Sequence, residues 1–413
     1  MAEADDDGGF ILPTDAFVEV LLRLPTSSRR RFRLVCKRWR DAIDERTPER
    51  QVRTKILAFF SEKSVSHAVV LADQPQPDGG GRQEWTFPSS ASDSIAPEYG
   101  GVVRLVGTCN GLLCLRDDVP APCHCIRSTI AVVNPVTGEE AAAIPWPPGS
   151  LSWDYCGASR SVVEFSFGYH PTTGKYKVVH VSCRSESPNK WLEIDRVQVL
   201  TLERRSGWRK VPVLAMDTSY HDAGGVVTVD GSTYWLTARA DRVAALDLGG
   251  DDEHVASFAA PPCLQVLQVP EVATCQLTSV HGRLGVLVSR QQLAAAAAKV
   301  DVWVLEDGGA GRRSPRWSRP WSIQQPSGAA DQGRWVMSPH FTHGEYVLSK
   351  QEGQSWPRVI WLYRRKVADL NGSGENTEQL PLEGAQQIMR MGFFDDGRVM
   401  TFPYVETTEP LPI

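Results

Sequence analysis

Gly231-Ser232-Thr233-Tyr234-Trp235-Leu236 is the stretch on which the reading of this chain turns. The glycine suits a tight turn, and the β-branched and aromatic run behind it has the composition that strands prefer. The same form recurs outward in both directions. Toward the N-terminus it is Gly174-Lys175-Tyr176-Lys177-Val178-Val179 and Gly111-Leu112-Leu113-Cys114-Leu115. Toward the C-terminus it is Gly282-Arg283-Leu284-Gly285-Val286-Leu287-Val288, Gly344-Glu345-Tyr346-Val347-Leu348 and Gly397-Arg398-Val399-Met400-Thr401-Phe402. Successive glycines stand 51 to 63 residues apart. A second strand run follows in most units, as in Ala131–Pro135, Val197–Leu202, Val243–Leu248, Val300–Leu305 and Val359–Tyr363. Three or four strands per unit, repeated about six times, is the sequence form of a β-propeller. Sheets set around an axis bury both faces and leave few open edges. The last unit is short, and the runs Lys55–Phe60 and Ala68–Leu71 are placed to complete it and close the ring.

Residues 11–50 read differently. Pro13-Thr14-Asp15 is a helix start, with Thr14 as cap and Asp15 at the positive end of the dipole. Phe17, Leu21 and Leu24 follow at helical spacing, with Val18 and Leu22 widening the stripe. Pro25 stops the helix. Phe32, Val35, Cys36, Trp39 and Ile43 then form one face of a second helix. Two short helices bury too little apolar surface to fold strongly alone, so the piece completes its core against something else: a partner, or the rest of the chain. The predicted fold class is therefore α+β multidomain: a small helical module followed by a mainly-β domain, a six-bladed propeller, with a β-sandwich as the alternative.

The chain of 413 residues carries a net charge of -5, which gives no global attraction for a polyanion or an acidic membrane. Seven basic side chains crowd positions 29–40. They could mark nucleic-acid binding, but Phe32, Val35, Cys36 and Trp39 interleave them at helical spacing, and a solvated helix face is the simpler reading. The acidic opening MAEADDDGG lacks a secretory pattern, and no apolar run approaches the roughly 20 residues that span a bilayer. An intracellular protein, in cytoplasm or nucleus, is expected, with its nine cysteines as thiols. Cys123-His124-Cys125 has the wrong spacing for zinc even with Cys109 and Cys114 nearby; no metal or cofactor is expected.

The order Ile11-Leu12-Pro13-Thr14-Asp15, Glu19-Val20-Leu21, Arg23-Leu24-Pro25, Ser28 and Arg31-Phe32-Arg33-Leu34-Val35-Cys36-Lys37-Arg38-Trp39 with Ile43 resembles the F-box motif. Val132–Glu139 with Ile144-Pro145, Phe167–Pro171 with Tyr176–Val179, Gly231–Leu236 and Tyr404–Thr407 resemble the plant F-box-associated domain. The resemblance implies a substrate receptor of an SCF-type cullin ubiquitin ligase, without chemistry of its own. It would dock on a Skp-type adaptor, and through it on cullin and RING subunits, while the β domain holds a target protein. On that match Leu12, Pro13, Leu21, Leu24, Pro25, Val35 and Trp39 would contact the adaptor or hold the module together. Arg29 and Arg30 stand where the family has leucines, which points to weaker adaptor binding. The implied partition is an acidic tail (1–10), the F-box (11–50), a linker with ring-closing strands (51–72), a flexible segment (73–99) and the β domain (100–410).

Catalytic signatures are lacking: there is no G-x-S-x-G, H-E-x-x-H, phosphate loop or dinucleotide fingerprint. His170, His340 and His343 sit near strand ends without a nucleophile and read as turn or hydrogen-bonding residues. An enzyme or small-molecule sensor on the same scaffold stays the rival function, and nucleic-acid binding through 29–40 the other. Most of the 13 tryptophans fall in strand runs. Trp146, Trp153, Trp191 and Trp335 fall in Pro- or Gly-containing contexts that read as loops. Exposed loop aromatics are the usual anchors of a partner, so these four are the candidate target-binding residues.

Overall fold

The turn glycines do what their positions demand. Asn110 and Gly111 have φ of 51° and 84°, and Asp230 and Gly231 of 47° and 74°. Two successive left-handed residues fit the type I′ turn, whose twist matches that of the strands it joins. Cys109 accordingly pairs with Leu112, and Val229 with Ser232, across two-residue connections.

The computed structural model describes residues 14–23, 32, 39, 55–62, 65–71, 83–90, 101–120, 126–140, 144–149, 160–171, 173–185, 191–203, 206–213, 219–221, 224–249, 253–265, 273–280, 282–291, 298–307, 315–324, 334–343, 346–352, 358–366, 386–393, 399–407 and 411. The chain divides into two units. In the first lies helix α1 (Thr14–Arg23).

The second unit is built of antiparallel strands in chain order. The first sheet holds β1 (Lys55–Glu62), β2 (Val65–Leu71) and β3 (Glu84–Pro88). The next holds β4 (Val102–Cys109), β5 (Leu112–Pro120), β6 (Ile126–Asn134) and β7 (Glu139–Glu140). The third holds β8 (Arg160–His170), β9 (Lys175–Ser185), β10 (Leu192–Thr201) and β11 (Arg209–Val211), with β12 (Ser219–Tyr220) also on β10. The fourth holds β13 (Val226–Val229), β14 (Ser232–Leu236), β15 (Arg242–Asp247) and β16 (Val255–Ala259), and a short helix α2 (Pro262–Gln265) follows it. The fifth runs through β17 (Ala273–Val280), β18 (Arg283–Gln291), β19 (Ala298–Asp307) and β20 (Arg316–Gln324). It continues in β21 (Arg334–His343), β22 (Tyr346–Glu352), β23 (Arg358–Lys366) and β24 (Gln386–Phe393). The last strand, β25 (Met400–Tyr404), returns to pair with β1, from Lys55 opposite Tyr404 to Phe59 opposite Met400.

These sheets form a propeller rather than a sandwich. The leading strands touch in succession, β4 with β8, β8 with β13, β13 with β17, β17 with β21 and β21 with β25, and β25 lies against β4. The apolar core is accordingly split into wedges between neighbouring sheets. Leu57, Phe59, Val103, Leu105 and Tyr404 fill one. Cys114, Ile130, Phe165 and Val178 fill the next, then Val179, Val197, Trp235 and Leu246. Leu236, Val243, Leu277 and Val286 fill another.

Two expectations need correction. The expected six sheets are five, of which one has eight strands. Val280 on β17 and Phe341 on β21 form a parallel pair that joins two runs of four into one sheet. A repeat of turn glycines marks strands, and cannot show whether two units share a ladder. The stretch 73–99, expected to be flexible, contains β3, which adds a third strand beside the two at Lys55–Glu62 and Val65–Leu71 that the ring-closing reading had placed there. The cause is β2, whose row Val65–Val69 pairs with Glu84–Pro88; a strand alternating half-buried and exposed residues gains its order from that partner.

Candidate functional site

Helix α1 buries one face. Phe17 and Leu21, four residues apart, are packed with Phe32 and Trp39. The Trp39 ring meets Phe17 edge-on at 4.7 Å between centroids and Phe32 at 5.1 Å. Such aromatic pairs add about 1 kcal/mol beyond the area they bury. Leu21 is fully enclosed in that cluster. Trp39 stays half-buried. The helix turns Val20 outward at 50% exposure. It lies off the Phe17–Leu21 stripe, which is why a search for stripes passes over it. Glu19 and Arg23 form an exposed i,i+4 pair at 3.1 Å, worth about 0.3–0.5 kcal/mol. Leu12, Pro13, Leu24, Pro25, Val35, Arg29 and Arg30 lie outside the described residues.

On the propeller the four candidate tryptophans fare differently. Trp191 is 65% exposed. It stands immediately before β10, where Leu192 faces Tyr220 and Glu193 faces Arg184. Because Arg160 pairs with Ser185, Trp191 is at the end of the sheet where β8 begins. Glu193, Arg184 and Asp195 are exposed beside it. Trp146 is half-buried and belongs to the core between the second and third sheets. Its ring lies 5.2 Å from Phe165 and 6.3 Å from His180. The residues around it are strapped down: Trp208 Nε1 donates to the Pro145 carbonyl at 2.7 Å, and Arg196 and Gln198 donate to that of Pro148 at 2.9 and 3.3 Å. Trp335 is in a strand rather than a loop, since β21 pairs it with Gln351. Trp153 and Cys123–Cys125 lie outside the described residues.

The polar groups that cluster inside the propeller are structural in character. Lys177 and Glu253, 2% and 3% exposed, meet at 2.7 Å, and Arg209 reaches the same Glu253 oxygen at 2.6 Å. Ser166, Thr228 and Thr233 link hydroxyl to hydroxyl at 2.7 and 2.8 Å, joining β8 to β13 and β14. Ser128 donates to Asp118 at 2.7 Å, and Arg116 does so too at 2.7 Å. His180, among Phe165, Trp146 and Trp208, is held neutral: burial lowers its pKa to about 3. His170 lies 3.7 Å from Asp247, and burial, ahead of that carboxylate's opposing pull, lowers its pKa as well. Burial pushes the Cys114 thiol far up, away from a reactive thiolate. Among the described residues no group of three His, Cys, Asp or Glu is placed to hold a metal, and no helix is long and apolar enough to cross a membrane.

Comparison with known proteins agrees with this geometry. Residues 55–364 match the family described as F-box associated beta propeller domain, and residues 10–50 match the F-box domain. F-box protein At2g40925 of Arabidopsis thaliana is 23% identical, over 90% of this chain and 93% of that protein. F-box/LRR-repeat protein At2g43260 of the same plant is 27% identical, over 76% of this chain and 67% of its own. Among solved structures, a functionally unknown protein from Desulfotomaculum acetoxidans covers 76% of this chain and 83% of its own, with 8% identity and a TM-score of 0.35. The RS223 β-xylosidase covers 64% and 95%, with 10% identity and a TM-score of 0.27. Likeness at those scores bears on neither fold nor chemistry. The match along three-quarters of the sequence, the ring that β25 closes on β1 and the short helical module ahead of it together mean that this chain belongs to the F-box proteins with an F-box-associated β-propeller domain.

Proposed function

We propose that the protein is a substrate-recognition subunit of an SCF-type cullin ubiquitin ligase. The observation that carries this is the pairing of an F-box match at 10–50 with a propeller match at 55–364 in one chain. In this reading the helical module docks on a Skp-type adaptor, and so on cullin and RING subunits. The propeller holds a target protein, and its proximity to the ubiquitin-loaded enzyme raises the effective concentration of target lysines. Leu12, Pro13, Leu24, Pro25 and Val35 supply adaptor contacts, Val20 adds an outward apolar one, and Leu21 and Trp39 shape the face from beneath. Trp191 is the first choice among the target anchors. Trp153 and Trp335 remain candidates, whereas Trp146 acts by holding the strap across the third sheet. The charged lining of the buried clusters serves stability, so the protein contributes no chemistry itself.

Co-purification of the full-length protein, compared with a chain lacking residues 1–50, separates adaptor-dependent partners from targets. The adaptor and cullin should vanish with the deletion and the targets remain. Val20→Asp, at an exposed site, should weaken adaptor capture roughly tenfold without lowering the melting temperature. Trp191→Ala should weaken target capture by a similar factor, with stability changed by no more than about 0.5 kcal/mol. Failure of a Skp-type adaptor to co-purify with the intact chain would end this assignment.

A further inference from the structure

The outer strands of the propeller differ in how they guard their edges. An edge strand shows a row of N–H and C=O groups that another chain can pair with, and proteins protect it by shortness, proline or charge. Here β7 has two residues, β11 three, and β3 five ending at Pro88. On the five-residue β16 the Ala259 carbonyl is taken by Trp317 Nε1 at 3.0 Å. The longer β20 contains Pro320. Strand β24 has one of these guards, a single charge, in eight residues, Gln-Gln-Ile-Met-Arg-Met-Gly-Phe, without proline. Among the described residues it pairs only with β23. The register is unbroken from Arg358 opposite Phe393 to Leu362 opposite Met389, and its one irregularity falls beyond, toward Gln387. Met389 is buried and fixes the strand, while Gln387 and Arg390 are exposed.

Charge says what this edge accepts. Strands β22, β23 and β24 carry Lys350, Arg358, Arg364, Arg365, Lys366 and Arg390 against Glu352 alone, in a chain whose net charge is -5. A second copy would bring the same positive strands to the edge and be repelled. An acidic chain would be drawn in.

We propose that the free edge of β24 is a docking edge that takes up an extended, acidic segment of a partner protein as an added strand. This deepens the target-receptor reading and rests on it for the identity of the partner as a target. Main-chain pairing supplies the affinity, and the basic strands choose the sign of the charge.

The test uses the full-length protein and a labelled decapeptide of alternating valine and glutamate, with a valine–lysine decapeptide as control. The acidic peptide should bind and the basic one should not. Amide hydrogen exchange within Gln386–Phe393 should slow on binding, and Arg390→Glu should weaken binding roughly tenfold without changing the melting temperature. Equal binding of both peptides, protection confined to other strands, or no binding would overturn the proposal. So would β24 amides already protected in the free protein, which would place another part of the same chain on the edge. Protection that grows with protein concentration alone would assign the edge to a second copy, and would also overturn it. Adaptor co-purification, followed in parallel, reports separately on the receptor assignment: its loss would sink that assignment while leaving the β24 result readable.

Discussion

Glu253 holds two cations with one carboxylate, Lys177 enclosed with it and Arg209 reaching in from the surface, and so carries more of the stability than its place in the sequence suggests. Removing one partner of a buried pair leaves an uncompensated charge, which costs about 3–5 kcal/mol. Glu253→Ala should lower stability by that amount, read by urea unfolding at neutral pH. The double change Lys177→Met with Glu253→Leu should recover most of it, because an apolar pair of similar volume removes the desolvation penalty. His180 gives a pH dependence with a definite sign. Its pKa in the folded protein, about 3, lies below the unfolded value near 6.5, so the folded state binds fewer protons in between. Its contribution is present in full above pH 6.5 and is lost as pH falls toward 3, about 2 kcal/mol of it by pH 5. Urea midpoints at pH 7.5 and pH 5 should show this loss, and His180→Leu should remove that share of it. Neither group was legible from the sequence. Lys177 looked like an ordinary polar residue of an alternating strand, and its partner is 76 residues away.

At the scale of the element, the turn glycines were legible, but their costs of substitution were not. Gly111 and Gly138 both have left-handed φ, 84° and 73°. A side chain on Gly138 would meet nothing within 4 Å, whereas one on Gly111 would run into Thr407 and the Val405 carbonyl. Gly138→Ala should therefore cost only the backbone strain, about 1 kcal/mol. Gly111→Ala should cost about 2 kcal/mol or more, because the C-terminal residues must also move. Thermal unfolding of the two variants side by side measures the difference. Helix α1 shows the same division between local and distant cause. Its start at Thr14 and the i,i+4 apolar pair could be read from spacing. Which side of it would be covered could not, because that depends on Phe32 and Trp39 folding back on Phe17 and Leu21.

For the whole molecule, ring closure concentrates consequence in a short C-terminal stretch. Strand β25 completes the sheet of β1 to β3, Lys55 meets Glu406 at 2.7 Å, and the Leu411 amide donates to Glu139 at 3.0 Å. A chain ending at residue 398 would lose Tyr404 from the wedge of Leu57 and Phe59 and leave the edge of β1 open. It should lose cooperative unfolding and associate, as size-exclusion and near-ultraviolet circular dichroism would show. Lys55→Ala alone should cost less than about 1 kcal/mol, since that pair is partly solvated. The sequence by itself determined the strands, the turns between them, the helical front and the family, because turn chemistry, strand composition and helical spacing act within a few residues of one another. The tertiary structure alone decided the count of sheets, the exposure of Trp191 against the half-burial of Trp146 in the core, and the ion cluster at Glu253. Each of those depends on groups far apart along the chain, and burial and charge pairing have no meaning until folding brings such groups together.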